Sequence, residues 1–136
     1  MSGIAVHRSE WEPRVLSVMR IVVGLLFMEH GLGKLFGFPS AAMMPAAFTL
    51  YWFAGVIEAV GGLLLTLGLF TRPVAFIMSG EMAIAYFYSH QPRNLYPLNN
   101  GGDAAILYCF IFFYIFVVGG GCWSLDRLIA GRRLRR

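Results

Sequence analysis

Four ionisable side chains, Arg20, Glu29, His30 and Lys34, interrupt the apolar run MRIVVGLLFMEHGLGKLFG at residues 19–37. Histidine exchanges protons near neutral pH, lysine donates hydrogen bonds to carbonyl groups, and a neighbouring carboxylate can relay or hold a proton. In the centre of a bilayer a charged group costs about 2.5–3.5 kcal/mol on insertion scales, so such residues belong inside a fold and not on its lipid face. Glu58, Glu81, His90 and Asp103 stand in or beside comparable apolar stretches.

At about 100° per residue, Arg20, Gly24, Phe27, Gly31 and Lys34 share a helical stripe roughly 80° wide. His30 lies at its edge, and Glu29 lies opposite, among Val22, Leu25 and Leu26. The glycines permit close approach of a second helix, which turns the stripe toward protein. Gly55, Glu58 and Gly62 repeat the device, and Glu81 shares a face with Ala85 and Tyr88. A rise of about 1.5 Å per residue in helices of alternating direction sorts these groups by depth. An inner cluster pairs Arg20, expected to be buried, with Glu81 or Glu58. An outer cluster gathers Glu29, His30, Lys34, His90 and Asp103. Ion pairs that hold short helices in register account for the inner cluster as well as a ligand does. The outer cluster exceeds what packing requires and reads as a site for an amphipathic small molecule, with His90 the member most open to explanation as a wet loop residue. His30, Lys34, Glu29 and Asp103 are thus the candidate catalytic residues. Arg20, Glu58, Glu81 and His90 are the candidates for holding a cofactor. No metal-ligand spacing is present.

Apolar runs at 15–33, 48–70, 73–89 and 104–118 must position these groups. They reach or approach the 17–25 residues, roughly, that a membrane-spanning helix needs. With 58% hydrophobic and 13% charged residues, the chain has too few polar groups to cover a water-facing surface. The fold expected is an all-α membrane protein: a bundle of four transmembrane helices with long outer loops. Tyr86, Tyr88 and Trp123 are expected as interfacial anchors, Thr71 and Asp103 as caps of the third and fourth helices. Connections 36–48 and 91–102 would form a lid over the outer face, with Phe36, Phe38, Met43 and Met44 as apolar cover. The inner face, with its two-residue turn at 71–72, looks plain by comparison.

The organisation expected is an N-terminal tail at 1–13, a membrane domain at 14–129 and a basic tail at 130–136. No cleavable signal peptide is visible. Arg8, Arg14, Arg72, Arg127, Arg132, Arg133, Arg135 and Arg136 fall on one side and Lys34 and Arg93 on the other, which puts both termini in the cytoplasm. The tail RRLRR suits anionic lipid headgroups better than nucleic acid. Cys109 and Cys122 are too far apart along a helix to bridge, and no CxxC is present.

The segments RIVVGLLFMEHGLGKLFGF, GVIEAVGGLLLTLGLFTRPVA and NNGGDAAILYCFIFFYIFVVGGGCWSLD resemble, in order and over residues 14–129, the DoxX family of small bacterial four-helix membrane proteins. The family pattern falls on Arg20, His30, Gly31, Lys34, Glu58, Gly61, Thr71, Arg72 and Asp103, the last standing where relatives often carry glutamate. The resemblance implies a protein of the bacterial cytoplasmic (inner) membrane associated with oxidoreductase systems, among them quinone-reducing enzymes and thiol or oxidative stress responses.

The residues limit what such a role can involve. No flavin or iron–sulfur motif is present, so electrons must come from a partner or pass between bound small molecules. A quinone suits the outer cluster, with His30 and Lys34 donating to its carbonyls and Glu29 or Asp103 relaying protons. Bis-histidine haem through His30 and His90 is the weaker candidate. The expectation is therefore a quinone-interacting oxidoreductase component, with the bilayer, an amphipathic small molecule and a soluble redox partner as its associates; whether it forms a homo-oligomer stays open. The competing class is a non-enzymatic scaffold or small-solute transport or binding module.

Overall fold

Glycine decides where most of the helices stop. The computed structural model describes residues 9–133, and Arg8 and the Arg135–Arg136 end of the basic tail lie outside the described residues. Helix α1 (Glu12–Phe36) carries Pro13 in its first turn and ends at Gly37, whose φ of 69° lets its N–H return to the Gly33 carbonyl at 3.1 Å. Helix α2 (Leu50–Leu67) starts from Thr49, whose hydroxyl accepts the Trp52 N–H at 3.4 Å, and ends at Gly68, also with φ of 69°. Helix α3 (Thr71–Ala85) continues as a π-helical turn, Tyr86–His90. The single-turn α4 (Pro97–Asn100) then leads into α5 (Asp103–Val118), which lies between Gly102 and Gly119. A sixth helix, α6 (Leu125–Arg133), follows the glycine run. Its 9 residues are too short and too charged to register as an apolar run in the sequence.

The four apolar runs fall on α1, on α2, on α3 with its π turn, and on α5. Among the described residues, α1 and α2 are long and apolar enough to cross a membrane, while α5 is a shorter apolar helix.

α1 packs along α2, α3 packs along α5, and α2 meets α3. The glycine stripe faces α2. A Cβ added to Gly24 would sit 2.8 Å from the Thr66 amide nitrogen, and one on Gly62 would sit 2.5 Å from that of Met28. Between α1 and α5, Phe27 meets Tyr108 and Phe112 edge-on, with ring centroids 4.8 and 4.7 Å apart.

The buried apolar set is small: Val23, Phe27, Leu65, Ala75, Met78, Met82, Ala105, Phe112 and Ile115. Arg20, Glu58, Ser17, Thr71, Ser79, Asn100 and Ser124 are buried among them. Meanwhile Leu25 and Leu26 on α1, Val60 and Leu63 on α2, Phe76 and Ile77 on α3, and Leu107 and Phe110 on α5 all point outward. Polar groups inside and apolar groups outside reverse the partition of a water-soluble fold.

Three local expectations are corrected. Tyr86 does not face outward as an anchor; it is partly buried under Gly102, where an added Cβ would meet its ring at 2.7 Å. Tyr88 and Trp123 are exposed. The Thr71 hydroxyl caps nothing and has no partner among the described residues. Asp126 of α6 instead accepts the Phe70 and Thr71 N–H groups at 2.9 and 2.8 Å, a cap lent to α3 from a distant part of the chain. Asp103 is the exposed first residue of α5 and makes no side-chain cap bond, so its contribution there is to the helix dipole.

Candidate functional site

Two polar constructions occupy opposite ends of the bundle. At one end lies a cavity of about 700 Å³. Its wall includes His30 and Lys34 from α1, Glu58 from α2, His90 from the π turn and Tyr108 from α5, with Ala42, Met44 and Pro45 of the 36–48 connection closing over it. Phe36 and Phe38 are exposed and do not line the cavity, while the side chain of Met43 lies outside the described residues.

Lys34 donates to Glu58 Oε1 at 2.6 Å, with the carboxylate almost wholly buried. Glu58 therefore belongs with the outer group, a correction to its assignment by depth. An added Cβ on Gly55 would lie 2.8 Å from Lys34 Cβ, so the two backbones are level about one turn from Glu58. The lysine's four-carbon stem spans that turn. The second oxygen, Glu58 Oε2, is buried with no partner among the described residues. Glu81 on α3 has both carboxyl oxygens buried and unpartnered and lies within electrostatic reach of Glu58 and Lys34.

The two histidines are oriented alike. His30 Nδ1 lies 2.8 Å from the Leu26 carbonyl oxygen, and His90 Nδ1 lies 3.0 Å from that of Asn100. A carbonyl only accepts, so each Nδ1 carries the hydrogen. Nε2 of each ring remains for other partners. His30 Nδ1–H is thereby spent on the Leu26 carbonyl, and any contact to a ligand falls to Nε2. Glu29 and Asp103 do not line the cavity: both are exposed, Glu29 on the outward face with Leu25 and Leu26. Among the described residues no group of three or more His, Cys, Asp or Glu could hold a metal ion.

At the other end Arg20 is fully buried, but it pairs with neither Glu58 nor Glu81. Its Nε donates to the Gly120 carbonyl at 2.8 Å, Nη1 to those of Thr66 at 2.8 Å and Leu65, and Nη2 to that of Trp123 at 2.7 Å. The guanidinium closes the C-terminal end of α2 against the loop after α5, taking up carbonyls that helix termination leaves open. Ser17 extends the junction, accepting the Trp123 N–H at 3.1 Å and donating to the Pro13 carbonyl at 2.7 Å. Asp126 adds its N–H to the Gly68 carbonyl at 3.0 Å. This end of the bundle, expected to be plain, is therefore closely knit. Charge counting missed this because it seeks a counter-charge, whereas the glycines at 68 and 119–121 signalled helix ends with carbonyls to satisfy.

Comparisons with known proteins bear on most of the chain. The DoxX family profile matches residues 15–91. An uncharacterized protein of Haemophilus influenzae is 42% identical over 123 residues, spanning 86% of this chain and 92% of the relative. An uncharacterized membrane protein of Mycobacterium tuberculosis is 30% identical over 144 residues, spanning 91% of this chain and 86% of the relative. No solved structure matches.

Proposed function

The chain belongs to the DoxX family, and we propose that it is a four-span protein of the bacterial inner membrane whose outer cavity holds a quinone-like molecule within a redox-linked system. The outward-facing Leu, Val, Ile and Phe of α1, α2, α3 and α5 support a hydrocarbon solvent for all four. So does the printed description of the mycobacterial relative as a membrane protein. Arg127 shares a groove with the start of α1, and Arg72 lies beside Gly119, whereas Lys34 and Arg93 line the cavity at the opposite end. That asymmetry favours both termini in the cytoplasm.

The observation that carries the ligand reading is the cavity itself, whose wall gathers His30, Lys34, Glu58 and His90 from three helical segments beneath the 36–48 connection. A few convergent polar groups on an otherwise apolar wall are what an amphipathic ring needs to be held and oriented. Phe27, Tyr108 and Met44 offer an apolar and aromatic surface for a ring. Within this reading His30, Glu58 and His90 bind and orient, and Lys34 holds Glu58 in place. A second reading, a small-solute carrier, draws on Glu81, an intramembrane carboxyl with two unpartnered oxygens.

The test is solvent extraction and mass analysis of purified protein, with an absorption spectrum to detect haem. An isoprenoid quinone in the parent, reduced severalfold in His30→Ala, supports the site. Ligand-free, colourless protein that takes up solute when reconstituted supports the carrier instead.

A further inference from the structure

At the end of the bundle that holds Arg20, a groove of about 1170 Å³ opens between the first turns of α1, the last turns of α5 and the start of α6. Its deeper wall is apolar, with Leu16 and Met19 contributed by α1 and Tyr114 and Val118 by α5. Val15, Tyr114 and Val118 are also exposed, so this wall runs on into the outward-facing surface of the bundle. The mouth is charged. At the helical rise Met19 lies about 10 Å deeper than Glu12. The groove's charged residues are Glu12, Asp126 and Arg127. Asp126 is already committed, its two carboxylate oxygens accepting the amides that open α3. Glu12 on α1 and Arg127 on α6 are exposed, and neither enters an ion pair among the described residues. The Arg127 backbone is held by its N–H to the Ser124 hydroxyl at 3.3 Å. One carboxylate and one guanidinium, contributed by different helices, thus stand over an apolar cleft.

We propose that this groove binds one phospholipid with a zwitterionic, primary-amine headgroup, that of phosphatidylethanolamine. The inference rests on the membrane-spanning part of the reading above and is independent of the quinone site. An acyl chain lies in the cleft between α1 and α5, against Leu16, Met19 and Val118. The planar guanidinium of Arg127 suits the lipid phosphate. The ammonium, two carbons beyond the phosphate, carries three N–H donors and a positive charge to Glu12. Trp11 and Tyr114, both on the groove wall, are the aromatic types that favour the headgroup level of a bilayer. Phosphatidylcholine keeps both headgroup charges, but its quaternary ammonium has no N–H to give Glu12. Phosphatidylglycerol keeps the phosphate and has no cation, so Glu12 would meet a headgroup of its own sign. The paired requirement separates this groove from the general attraction of basic residues to anionic lipids.

Full-length protein in detergent is titrated with phosphatidylethanolamine, phosphatidylcholine or phosphatidylglycerol of identical acyl chains, and bound lipid is counted by native mass spectrometry. One ethanolamine lipid should bind per chain, at least about threefold more tightly than either of the others, the scale of one exposed ion pair. Glu12→Gln should bring the ethanolamine lipid down to the level of the choline lipid and leave the choline lipid unchanged. Arg127→Gln should weaken all three. Val15→Trp, at an exposed position on the groove wall, should fill the cleft and abolish the bound lipid. Equal retention of the three, the behaviour of an annular lipid only, overturns the inference, as do tighter binding of the glycerol lipid and a preference that survives Glu12→Gln. Binding of none of them overturns it as well. Dimers in place of lipid adducts, dissociated by Val15→Trp, would give the groove to a second copy of the chain and overturn it too. Protein that stays folded and monodisperse without detergent overturns the membrane reading itself, and the inference with it.

Discussion

Consider Arg20→Met, which keeps an unbranched side chain and removes the guanidinium. Four carbonyls lose their donor: those of Leu65, Thr66, Gly120 and Trp123. The Leu65 carbonyl still accepts the Gly68 N–H at 3.1 Å. The other three have no second donor among the described residues. An orphaned buried acceptor costs about 1–3 kcal/mol, so three cost about 3–9 kcal/mol, less whatever water recovers at the bundle end. A typical domain has about 5–15 kcal/mol in all, which makes the change severe. The assay is reversible unfolding in mixed micelles, raising the denaturing detergent and reading helicity. A loss of at least about 3 kcal/mol is expected. Arg20→Lys should recover only part of it, since an ammonium lacks the planar fork that reaches four carbonyls on two segments at once. Glu81→Gln in the Arg20→Met background should add its own effect independently, because the two side chains share no contact. A loss under about 0.5 kcal/mol, or strong coupling to Glu81, would refute the carbonyl cage and restore an ion pair.

Lys34→Met alone should cost about 3–5 kcal/mol by stranding the buried Glu58, and Lys34→Met with Glu58→Gln should be milder; thermal melts in detergent compare the two. Asp126→Ala removes acceptors from the Phe70 and Thr71 amides and should cost about 2 kcal/mol, visible as faster hydrogen exchange confined to the first turn of α3. Gly62→Ala forces a Cβ against the Met28 backbone and should lower the yield of folded protein sharply. Gly80→Ala meets nothing within 4 Å and should gain up to about 1 kcal/mol; size-exclusion profiles and melts distinguish them.

Periodicity made the α1·α2 contact legible, since Gly24, Gly31, Gly55 and Gly62 recur at helical spacing and their alignment needs no tertiary knowledge. Depth was legible only to within a side chain's length. Counting Cα rise put Glu58 on a different level from Lys34, and the flexible stem that joins them carries no signature in spacing. The helical angle of Glu29 set it opposite the stripe, yet its depth still drew it into the candidate site, and Asp103 likewise shares a level with the cavity and does not line it. The Arg20 cage was hidden for another reason: its acceptors are peptide carbonyls, which every residue possesses. Asp126 was hidden likewise, because a cap contributed from 55 residues away looks like one more charge in a basic tail.

The junction around Arg20 and Asp126 also bears on the order in which the chain is made. α1, α2 and α3 leave the ribosome well before residues 120–126, yet the end of α2 and the start of α3 receive partners from that late segment. Until it emerges, the early helices must wait with their termini satisfied by water, lipid headgroups or insertion machinery. Completion of the bundle is thereby tied to completion of synthesis. A chain halted before the glycine run would present an arginine without its Gly120 and Trp123 acceptors and a first turn of α3 without its Asp126 cap, a form that quality-control proteases could distinguish from the finished protein.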